Sequence, residues 1–173
     1  MKFISVIFSI CALSLAPYVS TFAASEVADN AFADLLQLEG KWQGTLAKTD
    51  GTSVNLQLEY SIKSNGSALL EESSEDGIQM LNIFNKQQDT VVATHYCGLM
   101  NKPVARLVSA ENAVIKLETD AAESGLVEGR DDYVDSWTLS LMPEDPNQFK
   151  YEYTVMQAAG TVVSATAIVT RVQ

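Results

Sequence analysis

The segment SVNLQLEYSIK, residues 53–63, alternates apolar and polar side chains without a break. Apolar residues two positions apart share one face of an extended chain, and here they are Val54, Leu56, Leu58, Tyr60 and Ile62. A helix would scatter these residues around its circumference, because it brings residues three or four apart onto one face. The segment is therefore predicted to be a β-strand with one buried and one solvated face.

The same pattern recurs to the C-terminus in runs separated by turn-forming residues, such as SNGS at 64–67 and PEDPN at 143–147. The predicted strands are 41–47, 53–63, 68–73, 78–84, 90–96, 104–108, 113–119, 134–142, 149–157 and 161–172. The acidic, glycine-containing segment 120–133 is interpreted as a surface loop. Since no linker or sequence repeat interrupts these runs, the chain is predicted to form one β domain.

Consecutive antiparallel strands joined by short turns must protect their edges, and closing the sheet on itself protects all of them. We therefore predict an all-β fold, an up-and-down antiparallel β-barrel of about 8–10 strands, with a two-sheet sandwich as the alternative. Residues 25–38 have helical spacing, with Phe32, Leu35 and Leu38 on one side and Gly40 as the stop. They are expected to form a short N-terminal helix that plugs one end of the barrel.

The first 23 residues have the layout of a secretory signal peptide. Lys2 is followed by an apolar run at 3–16 and by small residues up to Ala23. Pro17 keeps the apolar run shorter than the roughly 20 residues that span a bilayer, so stable membrane insertion is not expected. The predicted organisation is a signal peptide at 1–23 and a single domain at 24–173, located in the periplasm or secreted.

The charge of the chain argues against two classes of partner. There are 22 acidic and 11 basic residues, and loss of Lys2 with the signal peptide leaves 10 − 22 = −12. A surface this acidic repels nucleic acids and anionic lipids.

Cys97 would be the single cysteine of the mature chain, so no intramolecular disulfide is expected. No sequence feature specifies an oligomeric state.

Gly40, Lys41 and Trp42 follow the predicted helix directly, and they resemble the G-x-W signature of lipocalins and related calycin barrels. In that superfamily an arginine of the last strand packs across the tryptophan at the closed end of the barrel. Arg171 is the basic residue of the last predicted strand. The resemblance therefore implies structural roles for Gly40, Trp42 and Arg171, with a cation–π contact between the last two.

A second resemblance covers most of the domain. NGSALLEES, MLNIFNKQQDTVVATHYCGLMNKPVAR and VDSWTLSL resemble, in this order, segments of an uncharacterised group of secreted bacterial lipocalin-like proteins. That group tends to carry T-H-Y-C followed by N-Q-P-R. Residues 94–97 match the first motif in full, Asn101 and Pro103 match part of the second, and Lys102 and Val104 depart from it. The resemblance implies a lipocalin-like barrel and brings no established activity.

His95 and Cys97 lie two residues apart in a predicted strand, so both side chains point to one face about 6–7 Å apart. Val91 and Ala93 share that face, which is therefore predicted to be the barrel interior, whereas Tyr96 lies on the other face. This face is expected near one mouth of the barrel.

Several interpretations of this face remain open. A zinc site could combine His95 and Cys97 with Glu71, Glu72 or Asp135, and a haem would need a single axial ligand. Cysteine–histidine catalysis would require both groups in hydrogen-bond contact with a third.

The structural interpretation is a hydrogen-bonded interior histidine, with Asn101 capping the adjacent turn. The favoured function is non-catalytic binding of a small apolar or aromatic ligand by His95, Tyr96, Cys97 and Asn101, without cofactor or metal. The alternative is a structural or partner-binding envelope protein whose barrel is filled by its own side chains. The favoured interpretation is that the protein is not an enzyme.

The signal-peptide prediction is tested by the mass of the exported protein. Cleavage after Ala23 predicts a periplasmic or secreted chain that begins at Ala24, because signal peptidase recognises the small residues before that bond. Intact-mass spectrometry of fractionated cells measures this. A chain that retains residues 1–23 in every fraction would contradict the prediction.

Overall fold

The computed structural model describes residues 18–172, with side chains from residue 24 onward. Residues 1–17 of the predicted signal peptide lie outside this range. The elements are α1 (Tyr18–Leu36), β1 (Gly40–Lys48), β2 (Ser53–Lys63), a 3-10 turn (Ser64–Gly66), β3 (Ala68–Glu75), β4 (Ile78–Gln87), β5 (Thr90–Tyr96), β6 (Val104–Glu111), β7 (Val114–Thr119), α2 (Ala121–Ser124), β8 (Tyr133–Leu141), β9 (Gln148–Met156) and β10 (Val162–Arg171).

The ten strands form one closed antiparallel barrel. Each strand pairs with its neighbours in sequence, and β1 pairs with β10 to close the sheet. The predicted up-and-down barrel with an N-terminal helix is confirmed, and the sandwich alternative is wrong. Among the described residues, no helix is both long enough and apolar enough to cross a membrane.

Strand β3 is longer than its sequence indicates. The polar run at 73–77 predicts a turn, but β3 continues to Glu75 and the chain reverses at Asp76 and Gly77. Both turn residues have positive φ, which suits the two-residue turn that joins twisted antiparallel strands. Ser73 and Glu75 are buried, because the barrel interior is polar at this level.

The expected loop at 120–133 contains the short helix α2, which Asp120 caps by accepting a hydrogen bond from the Glu123 backbone N–H.

One end of the barrel is packed solid. We call this the closed end; it is the end at which β1 begins and β10 finishes, and α1 contacts β4, β5 and β6 there. The side chains buried together here include Phe32 and Leu35 of α1 with Phe84, Ile115 and Phe149 of the strands. The expected plug is thus an apolar helix face set against the strand ends.

Arg171 and Trp42 are paired across the closing strands. The Arg171 guanidinium carbon lies 4.1 Å from the centre of the Trp42 ring. Its nitrogens donate hydrogen bonds to the backbone carbonyls of Glu39 (2.6 Å) and Gln37 (3.2 Å). A single side chain therefore covers the tryptophan and holds the link between α1 and β1.

Gly40 makes this approach possible. Its φ of +127° is a conformation that residues with a Cβ rarely adopt, and an added Cβ would lie 2.5 Å from Arg171 Nη1. Trp42 Nε1 donates to the Leu38 carbonyl at 2.7 Å, so the indole is also satisfied at its polar edge. The cation–π contact, the close approach of Arg171 to Gly40 and the indole hydrogen bond explain why Gly40, Trp42 and Arg171 occur together at the closed end.

Replacing Arg171 by alanine is expected to lower the free energy of unfolding by about 2 kcal/mol, since it removes a cation–π contact and two charge-assisted hydrogen bonds. Arg171→Lys should lose about half as much, because an ammonium group cannot reproduce the planar fork. Guanidinium denaturation measures both. The matched control is Lys116→Ala, which removes an exposed ion pair with Glu118. An Arg171→Ala protein as stable as this control would contradict the prediction.

Candidate functional site

A cavity of about 220 Å³ occupies the other end of the barrel, which we call the open end. One wall comes from β3, β4, β5 and the loop after β5, and the other from β8 and β9. Most of its lining is apolar or aromatic: Ser73, Glu75, Ile78, Met80, His95, Cys97, Gly98, Leu99, Val134, Trp137, Tyr151, Tyr153, Val155 and Lys48 of β1. The filled-barrel alternative therefore describes the closed end, whereas the open end retains space.

Four inward-facing polar residues lie side by side on adjacent strands next to this cavity. Tyr60 pairs with Glu71, Glu71 with Asn82, and Asn82 with His95 across β2, β3, β4 and β5. All four are buried, with at most 3% of each residue exposed. We call this set the polar row. It reaches the cavity at His95.

Hydrogen bonds connect Glu71, Asn82 and His95 within this row. The Asn82 amide nitrogen donates to Glu71 Oε1 at 2.7 Å, and the Asn82 amide oxygen lies 2.9 Å from His95 Nδ1. Because the amide nitrogen is used by Glu71, the oxygen must accept, so His95 donates from Nδ1. Neutral His95 then carries no proton on Nε2. That atom is buried and has no hydrogen-bond partner within the described part of the chain.

His95 is uncharged at neutral pH. Burial lowers its pKa from 6.5 to about 4, and the backbone carbonyl of Leu81 opposes this shift. Trp137 packs against the imidazole edge to face, with ring centres 5.3 Å apart. The ring is thereby held in place by Asn82 on one side and an indole on another.

Glu71 lies wholly inside the barrel. Its Oε1 accepts hydrogen bonds from Asn82 and, at 3.3 Å, from the Tyr151 hydroxyl. Within residues 24–172 it makes no ion pair. Burial raises the pKa of Glu71, although the neighbouring Tyr60 hydroxyl and the hydrogen bonds from Asn82 and Tyr151 oppose the shift. The environment therefore favours the uncharged acid.

The mouth of the cavity carries one internally balanced charge pair. Lys48 Nζ lies 2.7 Å from Glu75 Oε2, and the Tyr153 hydroxyl donates to Glu75 Oε1 at 2.8 Å. Burial and the neighbouring Glu75 carboxylate raise the pKa of Tyr153. The lysine charge is therefore already paired, and the described residues that line the cavity offer no free cation to an anionic ligand.

Cys97 lines the cavity and is half-buried. Burial raises the pKa of its thiol, with a smaller opposing effect from the Leu99 backbone and a small reinforcement from Glu75. The thiolate is the nucleophilic form, so this environment is unfavourable for cysteine–histidine catalysis.

The structure separates the predicted ligand-binding residues into two groups. His95 and Cys97 line the cavity, whereas Tyr96 is 48% exposed on the outer face. Asn101 lies in the loop after β5, where its amide nitrogen donates to the Asp132 carbonyl at 2.7 Å. Asn101 therefore ties two open-end loops together and does not line the cavity.

The residues considered for zinc are not assembled. Glu72 is exposed on the outer face, and Asn82 stands between Glu71 and His95. Across residues 24–172, no three histidine, cysteine, aspartate or glutamate side chains converge in a metal-binding group.

Sequence reasoning missed Asn82 altogether and placed Tyr60 only on the buried face of its strand. A signal was present, since Asn82 occupies an inward position between the inward-facing Met80 and Phe84. A polar residue at such a position requires a buried partner. Its identity depends on strand register, which the sequence pattern does not encode.

Comparisons with known proteins support the fold alone. No family model and no curated protein matches the chain. A protein of unknown function from the DUF3598 family of Nostoc punctiforme is similar in structure, with a TM-score of 0.57 and 13% identity over 80% of this chain. The match covers 49% of that protein, so the present chain spans about half its length.

Smaller barrels also match. A structure described as EF1p2_mFAP2b bound to DFHBI has a TM-score of 0.41 and 14% identity, over 82% of this chain and 99% of its own. The redesigned β-barrel mFAP0, bound to DFHBI, has a TM-score of 0.41 and 16% identity, over 78% and 99%.

The lone histidine gives the site a direct pH test. The imidazole resonances of His95 are expected to titrate with a midpoint of about 4, because the buried ring resists protonation. The unfolded chain takes up this proton near pH 6.5, so the contribution of His95 to stability is complete above that pH. It is lost as the pH falls towards 4, by about 3 kcal/mol in total.

NMR titration of His95 and denaturant unfolding between pH 7 and pH 4.5 measure the two effects. His95→Phe is the matched variant, and its stability should fall less than that of the wild type over this range. A His95 midpoint near 6.5 would contradict the buried, neutral assignment.

Proposed function

We propose that the protein is an exported lipocalin-like barrel that binds a small, mostly apolar or aromatic molecule at its open end. The observation that carries the proposal is the cavity of about 220 Å³ between aromatic walls, with a buried polar atom of His95 beside it. Pockets of this kind, apolar with a few fixed polar groups, are typical of small-molecule sites.

The volume limits the ligand. A dry cavity of roughly 150 Å³ holds benzene, and drug-sized ligands need about 300–1,000 Å³. At about 220 Å³ the cavity suits a molecule of one or two fused rings. Trp137, Tyr151 and Tyr153 supply flat apolar surfaces for such rings.

The proposed role is binding without chemical change. The environments of Cys97 and His95 favour a protonated thiol and a neutral imidazole, which is the opposite of what an activated cysteine requires. We keep the lipocalin-like and secreted assignments as part of the proposal. They are supported by the G-x-W signature with Arg171, the T-H-Y-C motif and the signal-peptide pattern.

The binding proposal can be tested by NMR with benzofuran as the probe. The chain has two tryptophans, Trp137 beside the cavity and Trp42 at the closed end. Benzofuran is expected to shift the side-chain N–H resonance of Trp137 in a saturable manner and to leave that of Trp42 unchanged. Trp42 thus serves as an internal control.

A pair of variants at one position completes the test. Cys97→Phe is expected to fill the cavity and abolish the Trp137 shift, whereas Cys97→Ala should retain it. A titration in which neither benzofuran nor its N–H analogue indole moves the Trp137 resonance, or a shift that survives Cys97→Phe, would contradict binding in the cavity.

A further inference from the structure

His95 Nε2 is a buried hydrogen-bond acceptor without a partner in residues 24–172. Buried polar atoms of this kind are uncommon, since leaving an acceptor unpaired costs stability. The same residue forms part of the cavity wall. The ring that carries this unpaired atom is therefore part of the surface that a ligand in the cavity would contact.

The polar row determines what this atom can do. Asn82 accepts from Nδ1 and donates to Glu71, so the proton of the neutral imidazole stays on Nδ1. Nε2 is then an acceptor, and a ligand must bring the hydrogen. Asn82 acts here as a positioning residue, and Glu71 orients the Asn82 amide.

The charges around the cavity restrict the ligand further. Glu75 is the carboxylate at the mouth, and it is paired with Lys48 and hydrogen-bonded by Tyr153. The Tyr151 hydroxyl already donates a hydrogen bond to Glu71. An anionic ligand would find no free cation among these groups, and a cationic one would have to compete with Lys48 for Glu75.

From this geometry we infer that the ligand is an uncharged aromatic molecule carrying one N–H or O–H group, of the size of an indole or a phenol, and that this group donates a hydrogen bond to His95 Nε2. The inference rests on the proposed function, because it names the ligand class of the same cavity. A molecule of equal shape without a donor should bind less tightly, since it leaves Nε2 unpaired.

Indole and benzofuran provide the matched pair of probes, because they share one shape and differ in an N–H replaced by an oxygen. Isothermal titration calorimetry is expected to give a dissociation constant for indole about tenfold lower than for benzofuran, the scale of one buried hydrogen bond. In His95→Phe the dissociation constants of indole and benzofuran should become about equal, and benzofuran should still bind. Tyr96→Phe, on the outer face of the same strand, should retain the full preference.

The tautomer is tested separately by nitrogen NMR of ¹⁵N-histidine-labelled protein at pH 7. Nδ1 is expected to show the shift of a protonated ring nitrogen and Nε2 that of an unprotonated one. Asn82→Leu should mix the two states and reduce the indole preference, an effect that a merely structural role of Asn82 would not produce. Indole binding should move the Nε2 resonance of the wild type more than benzofuran does.

The outcomes separate the two proposals. Equal affinities for indole and benzofuran, with both shifting Trp137, would overturn the donor inference and leave the binding proposal intact. A protonated Nε2 in the free protein would also overturn it. If neither probe binds, both proposals fail. If His95→Phe does not fold, the ratio of the indole and benzofuran dissociation constants in the wild type and the NMR assignment of the His95 tautomer still test the donor inference.

Discussion

Pairing between β1 and β10 is the constraint on which the rest of the structure depends. These are the first and last strands of the sequence, and their register runs from Trp42 opposite Arg171 to Lys48 opposite Ala165. The pairing removes both free edges of the sheet and turns alternate side chains of every strand towards one interior. Arg171 then covers Trp42 and binds the backbone that leads out of α1.

Closure also produces a barrel with two different ends. At the closed end, aromatic and aliphatic side chains meet across the interior and α1 covers them, so that space is filled. At the open end, the walls are separated by a cavity and the inward residues include Ser73, Glu75 and His95. The packed end contributes the apolar burial that allows the open end to retain polar groups.

The polar row is costly for the fold and is partly left unsatisfied. Glu71, Asn82 and His95 are joined by hydrogen bonds, but in the described chain Tyr60 Oη, Glu71 Oε2 and His95 Nε2 have no partner. A barrel selected for stability alone would replace this row with apolar side chains, since buried polar groups rarely repay their desolvation. Departures of this type from local consistency are expected at functional sites.

Alternation in the sequence determined the ten strands and the inward direction of His95 and Cys97, because a period of two is a local property of each segment. The short turns between these runs determined their antiparallel order. Strand ends at Ser73 and Glu75 were misread, since polar residues usually indicate a turn and here face a polar interior. Only the tertiary structure decided that Asn82 lies between Glu71 and His95, and that Tyr96 and Asn101 lie away from the cavity. Cross-strand neighbours follow from register and barrel closure, and a cavity follows from how opposite walls meet, neither of which is encoded in the pattern of a single strand.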